Sequence, residues 1–186
     1  MKSYKYPAIA FFALICHVLF VSAQQSAAPD VAYVPTNQKV VDAMLEMAKV
    51  TKDDTIYDLG CGDGRIVITA AKDFGASGIG IEIRPELVER AGENARQAAV
   101  ADKVKFIEAD LFKTDFSRAT VVMLYLSPSV NLRLRPRLLK QLKPGTRIVS
   151  HDFDMGDWKP EQTIKVGDAT LYLWTVPRKK PSFKDK

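Results

Sequence analysis

An acid, three closely spaced glycines and a second acid further along are the residues of this sequence that indicate chemistry. Asp58 is followed by Gly60, Gly62 and Gly64, and Glu82 lies about twenty residues beyond them. Glycines let the backbone take positive φ and turn peptide N–H groups toward a ligand. A carboxylate that ends the next strand can accept both hydrogen bonds of a ribose diol. The pattern therefore predicts a pocket for a nucleoside-containing cofactor.

The residue at position 65 separates two kinds of cofactor. A dinucleotide site uses G-x-G-x-x-G, and its third small residue lets the helix pack closely on the strand. Arg65 occupies that position here. This disfavours a pyrophosphate cradle, and with it an NAD-linked oxidoreductase. A shorter G-x-G-x-G turn, against which a carboxylate-bearing ligand sits, is favoured instead.

The same residues resemble the first motif of the class I S-adenosylmethionine (SAM) dependent methyltransferases, and the resemblance covers most of residues 33–177. The chain looks most similar to the bacterial and mitochondrial protein-lysine methyltransferases, whose known substrates include the ATP synthase c subunit and the adenine nucleotide translocator. Segments 33–36, 110–115, 124–128 and 150–158 carry that closer resemblance. It implies SAM as the cofactor.

The resemblance also implies which residues hold the cofactor. They would be Tyr33, Asp58, Gly60, Gly62, Glu82, Asp110 and Leu111. Asp58 and the two glycines would contact the amino-acid half of SAM, and Asp110 would lie near the adenine amino group. The alternative for Glu82 and Asp110 is that they are surface acids that cap helices.

The sequence says less about the methyl acceptor than about the cofactor. Segment 124–128 falls where amino-group methyltransferases of nucleic acids carry Asn/Asp-Pro-Pro-Tyr, and its polar first residue is absent here. A nucleic-acid partner is therefore disfavoured, and a protein substrate is expected. Tyr125 is either an acceptor-channel residue or a core residue, and His151 is either a general base or structural. These two are the only catalytic candidates, and no catalytic residue is assigned.

The apolar pattern predicts one α/β domain of Rossmann-like class I methyltransferase type. Strands are predicted at 55–59, 77–81, 104–107, 119–124, 146–150, 162–166 and 170–176, and helices at 36–47, 66–74, 85–99 and 132–142, the last interrupted by Pro136. Strand and helix alternate until the last two strands, which form a hairpin. We expect a mostly parallel seven-stranded sheet with an antiparallel edge and helices on both faces.

The first 23 residues have the composition of a secretory signal. Two lysines precede an apolar run, and small residues stand at the expected cleavage position. An exported, periplasmic or secreted protein is predicted, or alternatively one anchored to the membrane by an uncleaved segment 8–21. Residues 24–50 would be a leader and N-terminal helix, 51–178 the SAM-binding domain, and 179–186 a solvated basic tail. Without residues 1–23 only Cys61 and His151 remain of their types, so no Cys/His metal site is expected.

Methyl transfer requires alignment of donor and acceptor and exclusion of water more than acid or base catalysis. A methyltransferase that acts on protein lysine is therefore the first hypothesis. The second is a non-catalytic SAM-binding or assembly module with the same fold, suggested by the missing polar acceptor motif and by the distance of an exported protein from cytosolic SAM.

Overall fold

A single seven-stranded sheet organises the computed structural model, which describes residues 32–179, 181 and 183. In chain order the elements are α1 (Gln38–Met47), β1 (Thr55–Leu59), α2 (Arg65–Asp73), β2 (Ser77–Glu82), α3 (Pro85–Gln97), β3 (Val104–Glu108), β4 (Val121–Leu124), α4 (Pro128–Gln141), β5 (Arg147–His151), β6 (Gln162–Val166) and β7 (Ala169–Thr175). The strands lie in the order β3-β2-β1-β4-β5-β7-β6. The first five strands pair in parallel, whereas β7 is antiparallel to both of its neighbours. The predicted fold class is confirmed.

Strand β4 shows why the sheet is covered on both faces. Successive side chains of a strand point to opposite faces, so a strand buried on both sides is apolar throughout. Val121 and Met123 pack in one cluster with apolar residues of α1 and α2. Val122 and Leu124 pack in another with residues of α4. All four side chains are fully buried, which places helices on both faces.

The strand order determines where a ligand can bind. After β3 at one edge, the chain crosses back to place β4 on the other side of β1. Such a reversal opens a crevice beyond the carboxyl ends of the central strands. Segments 60–64, 82–84 and 125–127, which follow β1, β2 and β4, therefore converge at one end of the sheet.

Helix α4 begins earlier than the sequence pattern predicts. It starts at Pro128, and the Ser127 side chain caps it by accepting a hydrogen bond from the Val130 N–H. Serine at the N-cap followed by proline at the first helical position is a favourable start. The helix also continues through Pro136 rather than breaking there.

The two ends of the chain are described only in part. The predicted signal peptide at 1–23 and the alternative anchor at 8–21 lie outside the described residues. Among the helices that the structure does describe, none is long and apolar enough to cross a membrane. In the predicted solvated tail, Phe183 instead packs against the core, and the Arg135 guanidinium lies 3.9 Å from its ring centroid.

Candidate functional site

A cavity of about 290 Å³ opens at the carboxyl ends of β1, β2, β3 and β4. Its volume is close to the lower end of the roughly 300–1,000 Å³ that small-molecule sites span. Of the predicted site residues, the cavity is lined by Tyr33, Asp58, Gly60, Glu82, Asp110, Leu111 and Tyr125. Gly62 is beside the cavity rather than in its wall, and His151 is outside it. The structure thus brings together residues that are spread over more than ninety positions of the chain.

The turn after β1 is built by glycines in the left-handed region. Gly60 has φ +90°, and a Cβ added there would come within 2.8 Å of the Leu126 side chain. The N–H groups of Gly60 and Cys61 both donate to the Ile81 carbonyl, at 2.8 and 3.0 Å. A side chain at position 60 would therefore meet both backbone strain and a steric clash. The turn is held against β2 in one conformation.

Glu82 belongs to the turn as well as to the cavity wall. Its Oε2 accepts a 3.0 Å hydrogen bond from the Gly62 N–H. Its Oε1 accepts from the N–H groups of Ile83 and Arg84 and from the Arg84 Nε, at 2.9–3.2 Å. The carboxylate is 4% exposed. The sequence suggested that both oxygens are available to a ribose, but both already accept hydrogen bonds from the protein. Oε2 accepts only one, so it can still accept a hydrogen bond from a ligand more readily than Oε1 can.

The buried carboxyl of Asp58 has no hydrogen-bond partner among the described residues. Its side chain is 2% exposed and lines the cavity, and it makes no hydrogen bond within the part of the chain that is described. Burial raises the pKa of this carboxyl to about 8, and the charges of Glu82 and Asp63 act in the same direction. A buried ionised carboxylate is costly unless it is paired. A cationic group of a ligand could pair with the carboxylate at this position, and the ammonium group of SAM is such a group.

A strap formed by residues 32–36 closes one side of the cavity. The Tyr33 ring lies against Gly62, where an added Cβ would come within 2.5 Å of it. The Arg84 guanidinium is 5.4 Å from the centroid of that ring, and the Arg65 Nη1 donates to the Thr36 carbonyl at 2.7 Å. Asn37 caps α1, and its side chain accepts a hydrogen bond from the Lys39 N–H. The contacts of Arg65 and Arg84 with the strap could not be predicted, because no local sequence pattern links these arginines to residues 32–36.

The wall beyond β3 is formed by the segment that follows it. The Asp110 Oδ1 accepts a 2.8 Å hydrogen bond from the Phe112 N–H, which shapes the loop. Leu111 and Phe112 add apolar surface to the cavity, and the Arg133 guanidinium lies 4.2 Å from the Phe112 centroid. An acid beside apolar walls is suited to a flat heterocycle with an amino group. The predicted adenine position of Asp110 fits this geometry and remains a prediction.

Tyr125 and His151, the two catalytic candidates, form a stack. Their ring centroids are 3.8 Å apart. Tyr125 lines the cavity, whereas His151 lines a second depression between α1 and the turn that joins β6 to β7. His151 also lies 3.5 Å from the Thr36 hydroxyl and 3.4 Å from an Asp152 carboxylate oxygen. Burial lowers the pKa of the imidazole, and the charge of Asp152 acts in the opposite direction. Because His151 does not reach the cavity, it is poorly placed to act as a general base there.

Comparisons with known proteins show which family the chain is similar to. The family model described as "ANTKMT methyltransferase domain" matches residues 58–162, more than half of the chain. A protein-lysine N-methyltransferase of Saccharolobus islandicus (strain REY15A) is 48% identical over 156 residues, which cover 81% of this chain and 97% of that protein. The adenine nucleotide translocase lysine N-methyltransferase of Mus musculus is 32% identical over 144 residues, which cover 77% of this chain and 62% of that protein.

A solved structure extends the likeness to the whole domain. The crystal structure of an RNA methyltransferase from Salinibacter ruber in complex with S-adenosyl-L-homocysteine superimposes with a TM-score of 0.81 at 57% identity. The match covers 82% of this chain and 100% of that chain. S-adenosyl-L-homocysteine is what remains of SAM after methyl transfer.

The prediction of a secretory signal peptide at 1–23 is wrong. Neither the comparisons nor the described residues give any support to a secretory signal at 1–23, so this prediction is withdrawn. Two lysines before a short apolar run form a pattern too unspecific to establish a signal. The export that depended on it stays an untested prediction.

Proposed function

The chain belongs to the family of the ANTKMT methyltransferase domain and is a SAM-dependent methyltransferase, and from that premise we propose that it methylates the ε-amino group of a protein lysine. The alternative of a non-catalytic module with the same fold is not retained. What remains to be assigned is the methyl acceptor and how the cavity makes it reactive.

The observation that carries this proposal is the apolar wall of the cavity beside Tyr125. Leu126 and Val130 line that wall, and they are 6% and 2% exposed. A lysine side chain has a four-carbon stem that such a wall can bury. Removal from water lowers the pKa of an amine, and only the neutral amine is a nucleophile. The wall therefore favours the reactive form of a lysine without a dedicated base.

The other residues of the cavity would bind the cofactor and exclude water. When bound, SAM supplies a methyl group activated on a sulfonium. Asp58 would hold its ammonium group, Glu82 its ribose and Asp110 its adenine, while Tyr125 and its apolar neighbours, which line the same cavity, would exclude water from the acceptor end. Alignment and water exclusion are the main contributions expected of a protein in this type of reaction. The relatives named as lysine N-methyltransferases support the assignment.

RNA is the second candidate acceptor, since the Salinibacter ruber protein is described as an RNA methyltransferase. Phosphate binding requires arginines and lysines directed at the nucleic acid. On α4, however, Arg133, Arg135 and Arg137 lie over the rings of Phe112, Phe183 and Phe116. Arg135 and Arg137 also donate to backbone carbonyls. This row of arginines therefore serves the fold, which favours the protein acceptor.

The test is to incubate the full chain with methyl-tritiated SAM and a cell extract in which protein and RNA are both present. We expect label that is sensitive to protease and resistant to ribonuclease, and that appears as methylated lysine after acid hydrolysis. A Gly60→Leu variant, whose turn cannot form, is the matched negative control. Label released by ribonuclease, or label in protein residues other than lysine, would overturn the proposal.

A further inference from the structure

Arg65 lines the cavity with hydrogen-bonding capacity to spare. Its Nε and Nη2 donate to the two carboxylate oxygens of Asp63, at 2.9 and 2.7 Å, and its Nη1 donates to the Thr36 carbonyl at 2.7 Å. A guanidinium has five N–H groups in a planar fork. These contacts use three of them, and the Tyr33 hydroxyl also hydrogen-bonds with Arg65. The bidentate pair with Asp63 fixes the plane of the fork. The side chain is 33% exposed and lines the cavity, which leaves donor capacity for a ligand there.

The start of α2 adds a second donor surface at the same place. Gly64 precedes the helix, has φ +80° and provides no capping side chain. Asp63 accepts from the Arg65 N–H at 3.3 Å. The next N–H, that of Ile66, has no hydrogen-bond partner in the described part of the chain, and Ile66 lines the cavity. The unpaired N–H groups at a helix start favour an anion.

Asp58 supplies an acidic group to the same cavity, and a bound cation would favour its ionised form. It is nine-tenths or more buried and has no hydrogen-bond partner among the described residues. One cavity thus presents an unpaired carboxylate together with an arginine fork and a free helix N–H. A ligand that carries an ammonium and a carboxylate on one carbon, as an α-amino acid does, satisfies all of these groups at once.

We propose that Arg65, with the start of α2, binds the α-carboxylate of SAM and so makes the enzyme selective for the intact amino acid over decarboxylated nucleosides. This inference rests on SAM as the cofactor and is independent of the acceptor. Asp63 already compensates the charge of Arg65, so the effect comes from directed N–H bonds rather than from net attraction. Hydrogen bonds to a charged group of this kind correspond to about tenfold or more in affinity.

The experiment compares the dissociation constants of SAM and decarboxylated SAM, measured by titration calorimetry on the full chain. The two ligands share the sulfonium and the amine and differ in the carboxylate. Wild type should bind SAM at least about tenfold more tightly than the decarboxylated form. In Arg65→Met that preference should fall severalfold, because only SAM loses the bonds from the guanidinium, and what is left is the part that the start of α2 supplies. Arg65→Lys, which keeps the charge but not the fork, should give an intermediate preference.

Arg84→Met is the matched control, since Arg84 also lines the cavity but contacts Glu82 and Tyr33. The Arg84→Met variant should bind both ligands more weakly than wild type by the same factor, so the preference for SAM should not change. An unchanged preference in Arg65→Met would overturn the proposal and leave Arg65 the structural task of holding the strap and Asp63. If Arg65→Met does not fold, an unchanged preference in Arg65→Lys has the same meaning. A wild type that binds both ligands equally overturns the proposal directly, whereas SAM binding without lysine methylation would contradict only the proposed acceptor.

Discussion

The peptide N–H of Gly62 donates a 3.0 Å hydrogen bond to the Oε2 of Glu82, which joins the glycine turn after β1 to the acid that ends β2. The two sequence features that indicated a cofactor are therefore one structural unit. The carboxylate that is predicted to hold a ribose also fixes the turn that is predicted to hold the amino acid. A change at Glu82 should consequently affect the whole cofactor and not the ribose alone.

The first prediction concerns Glu82→Gln. A glutamine keeps the shape but turns an NH₂ group toward N–H donors that Glu82 now satisfies. We expect SAM to bind at least about tenfold more weakly, as losing a charge-assisted hydrogen bond implies. Calorimetric titration measures this, with Glu89→Gln, an exposed acid of α3, as the control. Equal affinity of the two variants would show that Glu82 does not contact the cofactor.

The second prediction concerns the stability of Asp58→Asn. The pKa of Asp58 is about 8 in the folded protein, above its ordinary value of 3.8, so folding favours the protonated form. The wild type therefore loses stability as the pH rises from about 4 to 8, by up to about 1.4 kcal/mol per unit. Asparagine cannot ionise and avoids this loss.

We therefore expect Asp58→Asn to be more stable than wild type by about 2 kcal/mol or more at pH 7, and SAM binding to be impaired. Urea unfolding at several pH values measures the difference, which should shrink toward pH 4. A constant difference between pH 4 and pH 7 would mean that ionisation of Asp58 is not its cause.

The third prediction separates two roles of His151. Because its ring stacks on Tyr125 and does not line the cavity, we expect it to position Tyr125 and not to transfer a proton. His151→Phe keeps an aromatic ring, so its rate of lysine methylation should stay within about twofold of wild type. His151→Asn keeps polarity without the ring and should lose up to about tenfold, the size of one aromatic contact.

Both His151 variants should bind SAM as wild type does, which calorimetry checks. The opposite order, with His151→Asn active and His151→Phe inactive, would show that a ring nitrogen takes part in the reaction. It would restore His151 as a candidate general base.

Much of the fold could be predicted from the sequence because its signals are local. The apolar run of β4 and the glycines after β1 indicate their structures within a few residues. The predicted start of α4 is wrong because Ser127 and Pro128 fit both the end of a loop motif and the start of a helix. Capping signals are short and easily assigned to the preceding loop.

The site could be predicted only where side chains leave the ends of strands. Asp58, Glu82 and Asp110 are predictable because parallel strands end at one edge of the sheet. The contact between Arg65 and the Thr36 carbonyl, 29 residues apart, has no local signal. The same is true of the stack of Tyr125 on His151 and of the anchoring of Phe183 by Arg135. Contacts of this kind follow from packing, which periodicity does not specify.

The central claim is that the unpaired carboxyl of Asp58 receives the cationic amino-acid end of SAM. At pH 6.5 the free protein should hold a proton on Asp58, since its pKa is about 8. A bound cation favours the carboxylate and lowers that pKa, so the proton should leave and affinity should rise with pH up to about 8. Titration with SAM at pH 6.5 in buffers of different ionisation enthalpy measures the number of protons released. The account predicts a release close to one proton in wild type and none in Asp58→Asn, whereas binding without proton release in wild type would contradict it.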